Sequence, residues 1–144
     1  MMLPQALQLV IVTPTRQLLR VEVTEVTLPG ANGYLGILPG HAPLMTELGI
    51  GELTFHSVKP SEPLSIIRGF AEILPDRVTV LAETAELAAE IDIERAEEAK
   101  ARAEKRLGSG DPNIDWDRAT VALQRALIRI QVARKYRGTP VNSH

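Results

Sequence analysis

The chain of 144 residues has no cysteine and only three histidines, His41, His56 and His144, which stand far apart. A thiolate nucleophile and disulfides are thereby excluded, and a zinc site lacks its usual ligands. The missing thiols suit a cytosolic protein. Charge of neither sign dominates: 16 basic residues against 18 acidic ones leave a formal net charge of −2. That is too little positive charge for general nucleic-acid binding. Long apolar runs are absent as well. The opening MMLPQALQLVIV has no basic lead and is too short for a signal peptide or a membrane span. Direct membrane insertion is therefore not expected, and work at a membrane would need another protein to hold the chain there. With 44% apolar residues, the chain suits one ordinary folded domain, or a small domain with an appendage.

Catalytic sets are missing too. The glycine-rich GANGYLG at 30–36 has neither the dinucleotide-binding spacing nor the Lys-Ser/Thr of a Walker motif, and no helix follows it. His41, in LPGHAPL, has no Ser or Cys in a nucleophile context nearby. The Glu97–Glu98 pair sits on an open helix face rather than in a cleft. The sequence thus predicts a protein that is not an enzyme and requires no cofactor or metal.

What is present falls into two halves. Residues 7–83 read as short strands: LQLVIV (7–12), LLRVEVTEVTL (18–28), GYLGIL (33–38), IGELTFH (50–56), PLSIIRG (63–69), FAEIL (70–74) and RVTVLAE (77–83). Turn formers separate them (GANG, LPGHAP, KPSEP, PD), the spacing of a sandwich or barrel. Within 18–28 the alternation slips, because Leu19, Val21 and Val23 share one face and Val26 and Leu28 the other. A bulge or a change of sheet would account for it. From Ala85 to Leu107, and again from Asp115 to Arg137, there is no Pro or Gly, and helix formers dominate. The intervening GSGDPN is a compact turn, so the C-terminal part is an antiparallel helical hairpin. The expected fold is α+β: an antiparallel β-sandwich over residues 1–86, a two-helix hairpin over 87–138, and a frayed tail at 139–144.

Two hexads in the helical part are near copies, IDIERA at 91–96 and IDWDRA at 114–119. Asp92 and Asp115 are good N-caps, Ile91 and Ile114 stand at the staple position before them, and Glu94 and Asp117 complement the helix dipole. Only the arginine at N3 is left without a capping role. Charge along the hairpin is unequal: residues 83–98 hold seven acids and one Arg, whereas 118–137 hold six basic residues and no acid. Antiparallel helices would oppose these ends, each exposed pair contributing about 0–1 kcal/mol.

The helical seam is rich in alanine (Ala96, Ala99 and Ala103 with Leu107, against Ala119, Leu123, Ala126, Leu127, Ile130 and Ala133), and a second flank of Val121, Ile128 and Val132 is left over. Two helices cannot cover both flanks. A turn centred near residue 111 would set Arg95 opposite about residue 127, so that Arg125 and Arg129 straddle it. Three converging guanidiniums beside Asp92 suit an anion such as phosphate. Surface ion pairs with Glu94, Glu97 and Glu98 are the competing reading of the same residues.

The stretches GYLGILPGHAPLMTEL (33–48), IIRGFAEILPDRVTVLAETAE (66–86) and IDIERAEEAKARAEKRL (91–107) resemble, in order along nearly the whole chain, the epsilon subunit of bacterial and chloroplast F-type ATP synthases. The fold of that family, a β-sandwich followed by a helix-turn-helix, agrees with the two halves read from pattern alone. The resemblance implies a noncatalytic subunit of the central stalk of a proton-translocating rotor. It would lie at the cytoplasmic face of the cell membrane, peripherally, and bind the gamma subunit and the ring of c subunits. Tyr34 and His41 fall in the family's ring-facing loops, although relatives commonly carry Glu or another polar residue where Tyr34 stands.

In this family the hairpin either folds on the sandwich or extends along gamma into the head of alpha and beta subunits, where it hinders ATP hydrolysis. Arg118, Arg125, Arg129, Arg134 and Lys135 match the basic residues that face the catalytic subunits. Some members also bind ATP as a regulatory ligand through Ile/Leu-Asp-x-x-Arg-Ala and two arginines of the second helix. Ile91, Asp92, Arg95, Ala96, Arg125 and Arg129 match that set. A freestanding nucleotide-sensing module with no rotor role is the alternative that the residues leave open.

Overall fold

The computed structural model describes residues 4–142, with side chains through Arg137. Seven strands come first: β1 (Leu7–Val12), β2 (Gln17–Val23), β3 (Glu25–Gly30), β4 (Gly33–Ile37), β5 (Leu44–His56), β6 (Leu64–Leu74) and β7 (Arg77–Leu87). The phase slip expected within 18–28 is a real break. The chain leaves β2 at one edge of the sheet and enters β3 near the other, in the order β2-β1-β7-β6-β5-β3-β4. Three strands are longer than their sequence patterns: β5 begins at Leu44, the runs 63–69 and 70–74 merge into β6, and β7 continues to Leu87, past the Ala85 at which the helix-like composition begins.

These long strands build both layers of the sandwich. On β6, Leu64 and Ile66 face the core, but further on it is Ala71 and Ile73. The inward set changes parity again on β5, from Leu48 to Leu53 and Phe55, and on β7, from Val78, Val80 and Ala82 to Ala85. A strand can keep facing one core across such a switch only by bending there from one layer into the other. Gly69 makes the bend on β6. Its φ is +131°, and a Cβ there would lie 2.1 Å from the Leu81 carbonyl oxygen, so no other residue fits. Arg68 beside it is the one non-glycine residue with positive φ among the described residues, at 57°.

One pairing departs from the expected antiparallel pattern: β1 runs parallel to β7, from Gln8↔Arg77 to Val12↔Leu81. Parallel neighbours cannot be joined by a tight hairpin, and here the whole path from β2 to β6 serves as the connection.

The chain divides into two compact units after Leu87. The second holds a 3-10 turn (Ala88–Glu90) and the helices α1 (Ile93–Leu107) and α2 (Trp116–Asn142). The turn between the helices is closed by side chains: Ser109 Oγ donates to the Arg106 carbonyl, and Asp111 accepts from the Asn113 amide at 2.8 Å. Ala96, Ala103, Ala119, Ala126, Ile130 and Ala133 of the expected seam are buried, whereas Leu127 is 44% exposed. The leftover flank is not bare: Ile128 and Val132 are buried and Val121 half-buried. Backbone helix continues beyond Gly138 to Asn142, where a frayed tail was expected from 139. Residues 143 and 144 of that tail lie outside the described residues.

Candidate functional site

The first hexad forms the head of α1. Asp92 is the N-cap, with φ −86° and ψ 102°, and its Oδ1 accepts from the Arg95 amide at 3.1 Å. Asp115 does the same for the Arg118 amide at 3.0 Å, so both copies cap a helix as the pattern predicts. Ile91 and Ala96 are buried, on the two sides of the cap. The Arg95 side chain projects from this first turn and is exposed.

The end of the opposing helix reaches this head. Arg134 pairs with Glu97, and Arg137 reaches the carbonyls of Ala88, Ala89 and Ile91. The last turns of α2 with described side chains therefore flank the head of α1. At 1.5 Å per residue, Arg129 lies about 8 Å, and Arg125 about 14 Å, from the level of Arg134 towards the hairpin tip. Arg125 is exposed and Arg129 half-buried. A ligand touching Asp92, Arg95 and both of these arginines would have to lie along the hairpin, with an elongated, multiply charged shape.

The second hexad has different company. Arg106, Ile114, Asp115, Arg118 and Ala119 line an open cavity of about 330 Å³ at the hairpin tip. Of the basic row on α2, Arg118 stands at this cavity and Arg134 is engaged by Glu97, while Lys135 is exposed.

In the sandwich, Tyr34 and His41 occupy separate places. The ladder between β3 and β5 is interrupted between Thr27 and Gly30, where Pro29 has no N–H to donate. The Glu52 amide donates instead to Tyr34 Oη at 2.9 Å. The phenol end lies directly over Gly51, where an added Cβ would come within 2.5 Å of Oη. Tyr34 thus seals a gap in the sheet while remaining 57% exposed. His41 sits in the loop after β4, which is tied to the β6–β7 turn by the Gly40 amide donating to the Pro75 carbonyl at 2.7 Å. Its Nδ1 is 2.6 Å from the Ala42 carbonyl oxygen.

Two features escaped the sequence reading. Arg137 was legible only as one more basic residue, because its partners are backbone carbonyls more than forty positions away. The second is an apolar row on the outer face of one layer: Phe70 lies opposite Leu81, and Leu81 opposite Val12. Phe70 is 52% and Leu81 49% exposed. Alternation with the inward Ala71 and Val80 points to this face, but which side of a two-layered sheet is open cannot be told from one strand.

Among the described residues there is no cluster of three or more His, Asp or Glu able to hold a metal, and no helix long and apolar enough to cross a membrane. Residues 6–88 match the family model for the β-sandwich domain of the ATP synthase delta/epsilon chain, and residues 89–134 match that for its long α-helix domain. The chain is 45% identical over 133 residues to the ATP synthase epsilon chain of Solibacter usitatus, covering 92% of this chain and 99% of that one. Identity to the epsilon chain of Geobacter sulfurreducens is 47% over 132 residues, 91% of this chain and 96% of the relative. A chain in the mitochondrial ATP synthase of Euglena gracilis, solved as an OSCP/F1/c-ring assembly, superposes with a TM-score of 0.77. At 22% identity it covers 88% of this chain and 81% of its own length, a likeness of fold.

Proposed function

The chain belongs to the ATP synthase delta/epsilon family, and from that premise we propose that it is the noncatalytic epsilon-type subunit of a proton-translocating rotor. It joins the catalytic head to the c ring and restrains ATP hydrolysis through its helical hairpin. The observation that carries this reading is the match of both family domains in order over residues 6–134. In this reading the sandwich, residues 1–86, binds gamma and rests on the c ring, at the cytoplasmic face of the membrane. The row of exposed Leu81 and Phe70 with half-buried Val12 suits docking on gamma, because apolar side chains on an outer sheet face gain by leaving water. His41 and the ring of Tyr34 serve as contacts to the c ring.

The hairpin, residues 87–138, is the regulatory part. Its basic row of Arg118, Arg125, Arg129, Arg134 and Lys135 faces acidic segments of the alpha and beta subunits when the hairpin extends. ATP binds the folded form at Ile91, Asp92, Arg95 and Ala96 with Arg125 and Arg129, its elongated triphosphate lying along the hairpin. Because ATP would bind only the folded form, it draws the equilibrium away from the inhibitory one.

The test is hydrolysis by the assembled enzyme at low ATP, with the whole chain and with residues 88–144 removed. Faster hydrolysis after removal is the expected result, and equal rates reject inhibition. Calorimetric titration of the isolated chain with ATP, beside Arg95→Ala and Arg129→Ala, tests the ligand separately. Saturable binding lost in both variants supports the site, and no binding at millimolar ATP reduces both hexads to helix caps. A freestanding nucleotide sensor would bind ATP but form no stable complex with gamma.

A further inference from the structure

The last described side chain of α2 makes a contact that neither the family's motif nor its basic row includes. Nη2 of Arg137 lies 3.2 Å from the carbonyl oxygen of Ala88, 3.0 Å from that of Ala89 and 2.8 Å from that of Ile91. These carbonyls belong to the 3-10 turn and the residue that follows it. A 3-10 turn this short leaves most of its carbonyls without partners inside it. The Ile91 amide satisfies only the Ala88 oxygen, at 3.3 Å. One nitrogen with two protons therefore serves three oxygens, one of its bonds being shared between two acceptors. The charge on the guanidinium strengthens each bond and complements the negative end of the turn.

The position of this turn gives the contact its meaning. Residues 88–91 begin where the first compact unit ends, at Leu87, and lead directly into the Asp92 cap of α1. We propose that Arg137 is a catch that fastens the end of α2 to the connection between the two units, so that this connection and the closed hairpin order together or come apart together. The nearby Arg134–Glu97 pair holds α2 to α1 but does not touch the connection. Arg137 reaches carbonyls on both sides of Glu90. Coupling of this kind is reciprocal. A strongly acidic surface that draws the Arg137 guanidinium away would loosen residues 88–91, and loosening these residues would free Arg137 for such a surface.

The catch follows from contacts within the second unit and does not depend on the rotor reading, so it is tested on the isolated full-length chain. Hydrogen exchange would be followed at single amides for the parent chain, Arg137→Met and Arg137→Lys. Met keeps an unbranched stem but removes the donors, whereas Lys keeps a cationic donor. At least tenfold faster exchange at the Ile91 and Arg95 amides is expected in Arg137→Met. Sandwich amides and those of Ala119 at the hairpin tip should be unchanged, and protection should be partly restored in Arg137→Lys. Unaltered exchange at Ile91 and Arg95 in Arg137→Met would overturn the proposal. Equal acceleration at Ala119 would overturn it too, by showing that Arg137 supports the whole hairpin rather than the connection. The sandwich amides serve in each sample as the control for a folded chain.

Discussion

Replacing Tyr34 with Phe removes a single oxygen and separates two roles of this residue. The ring stays, 57% exposed and available to a partner. The partly buried Glu52 amide, 2.9 Å from Oη, loses its acceptor. The β3–β5 register is interrupted at this point, and Tyr34 Oη is the acceptor that the structure gives this amide. A donor left unsatisfied in this way costs about 1–3 kcal/mol, towards the lower figure where water can reach it. For a unit of this size that is a fall in melting temperature of roughly 5–15 °C.

Calorimetry is the right assay, because the single tryptophan, Trp116, lies in α2 and its fluorescence would report the wrong unit. Exchange at the Glu52 amide should accelerate in parallel. Gly51→Ala offers an independent route to the same bond, since its Cβ would come within 2.5 Å of Oη and 2.6 Å of Pro29 Cβ. If both substitutions break one interaction, part of their costs is shared, and the double variant should be less unstable than the sum. An unchanged melting temperature together with unchanged Glu52 exchange in Tyr34→Phe would refute the argument. The hydroxyl would then be dispensable to the sheet.

Gly69→Ala should be far more damaging than an ordinary surface change, costing about 3 kcal/mol or more by combining a forbidden φ with a Cβ at 2.1 Å from the Leu81 oxygen. Thermal unfolding checks it, and a stable variant would show that the β6 bend can relax. Asp92→Ala and Asp115→Ala should each cost about 1 kcal/mol through the lost cap, with helical signal in circular dichroism falling first at the affected helix end. A double-mutant cycle on Glu97 and Arg134, which are 37% and 64% exposed, should give a coupling of about 1 kcal/mol or less that weakens with salt. Phe70→Glu should leave the melting temperature nearly unchanged, because the side chain is half exposed, while weakening capture of gamma at least tenfold. Undiminished capture would move the docking face elsewhere.

Much of this protein follows from local pattern. Alternation and turn residues placed most strands, the absence of Gly and Pro marked the helices, and the doubled Ile-Asp-x-acid-Arg-Ala marked two capped helix starts that the structure bears out at Asp92 and Asp115. These features act between residues a few positions apart, so their energetics are contained in short stretches of chain. Three others are not. The parity switches of β5, β6 and β7 look like imperfect strands until two layers share one core, and only then does Gly69 become a required bend. The partner of Tyr34 depends on a gap between β3 and β5, which no single strand contains. The partners of Arg134 and Arg137 depend on how two helices pack along their whole length. That packing brings Arg134 and Arg137 to the head of α1. Sequence by itself determined the elements and their caps, because those rest on neighbouring residues. Tertiary structure decided register, layer and the third hydrogen-bond partner, because those are settled only when distant segments compete for the same space.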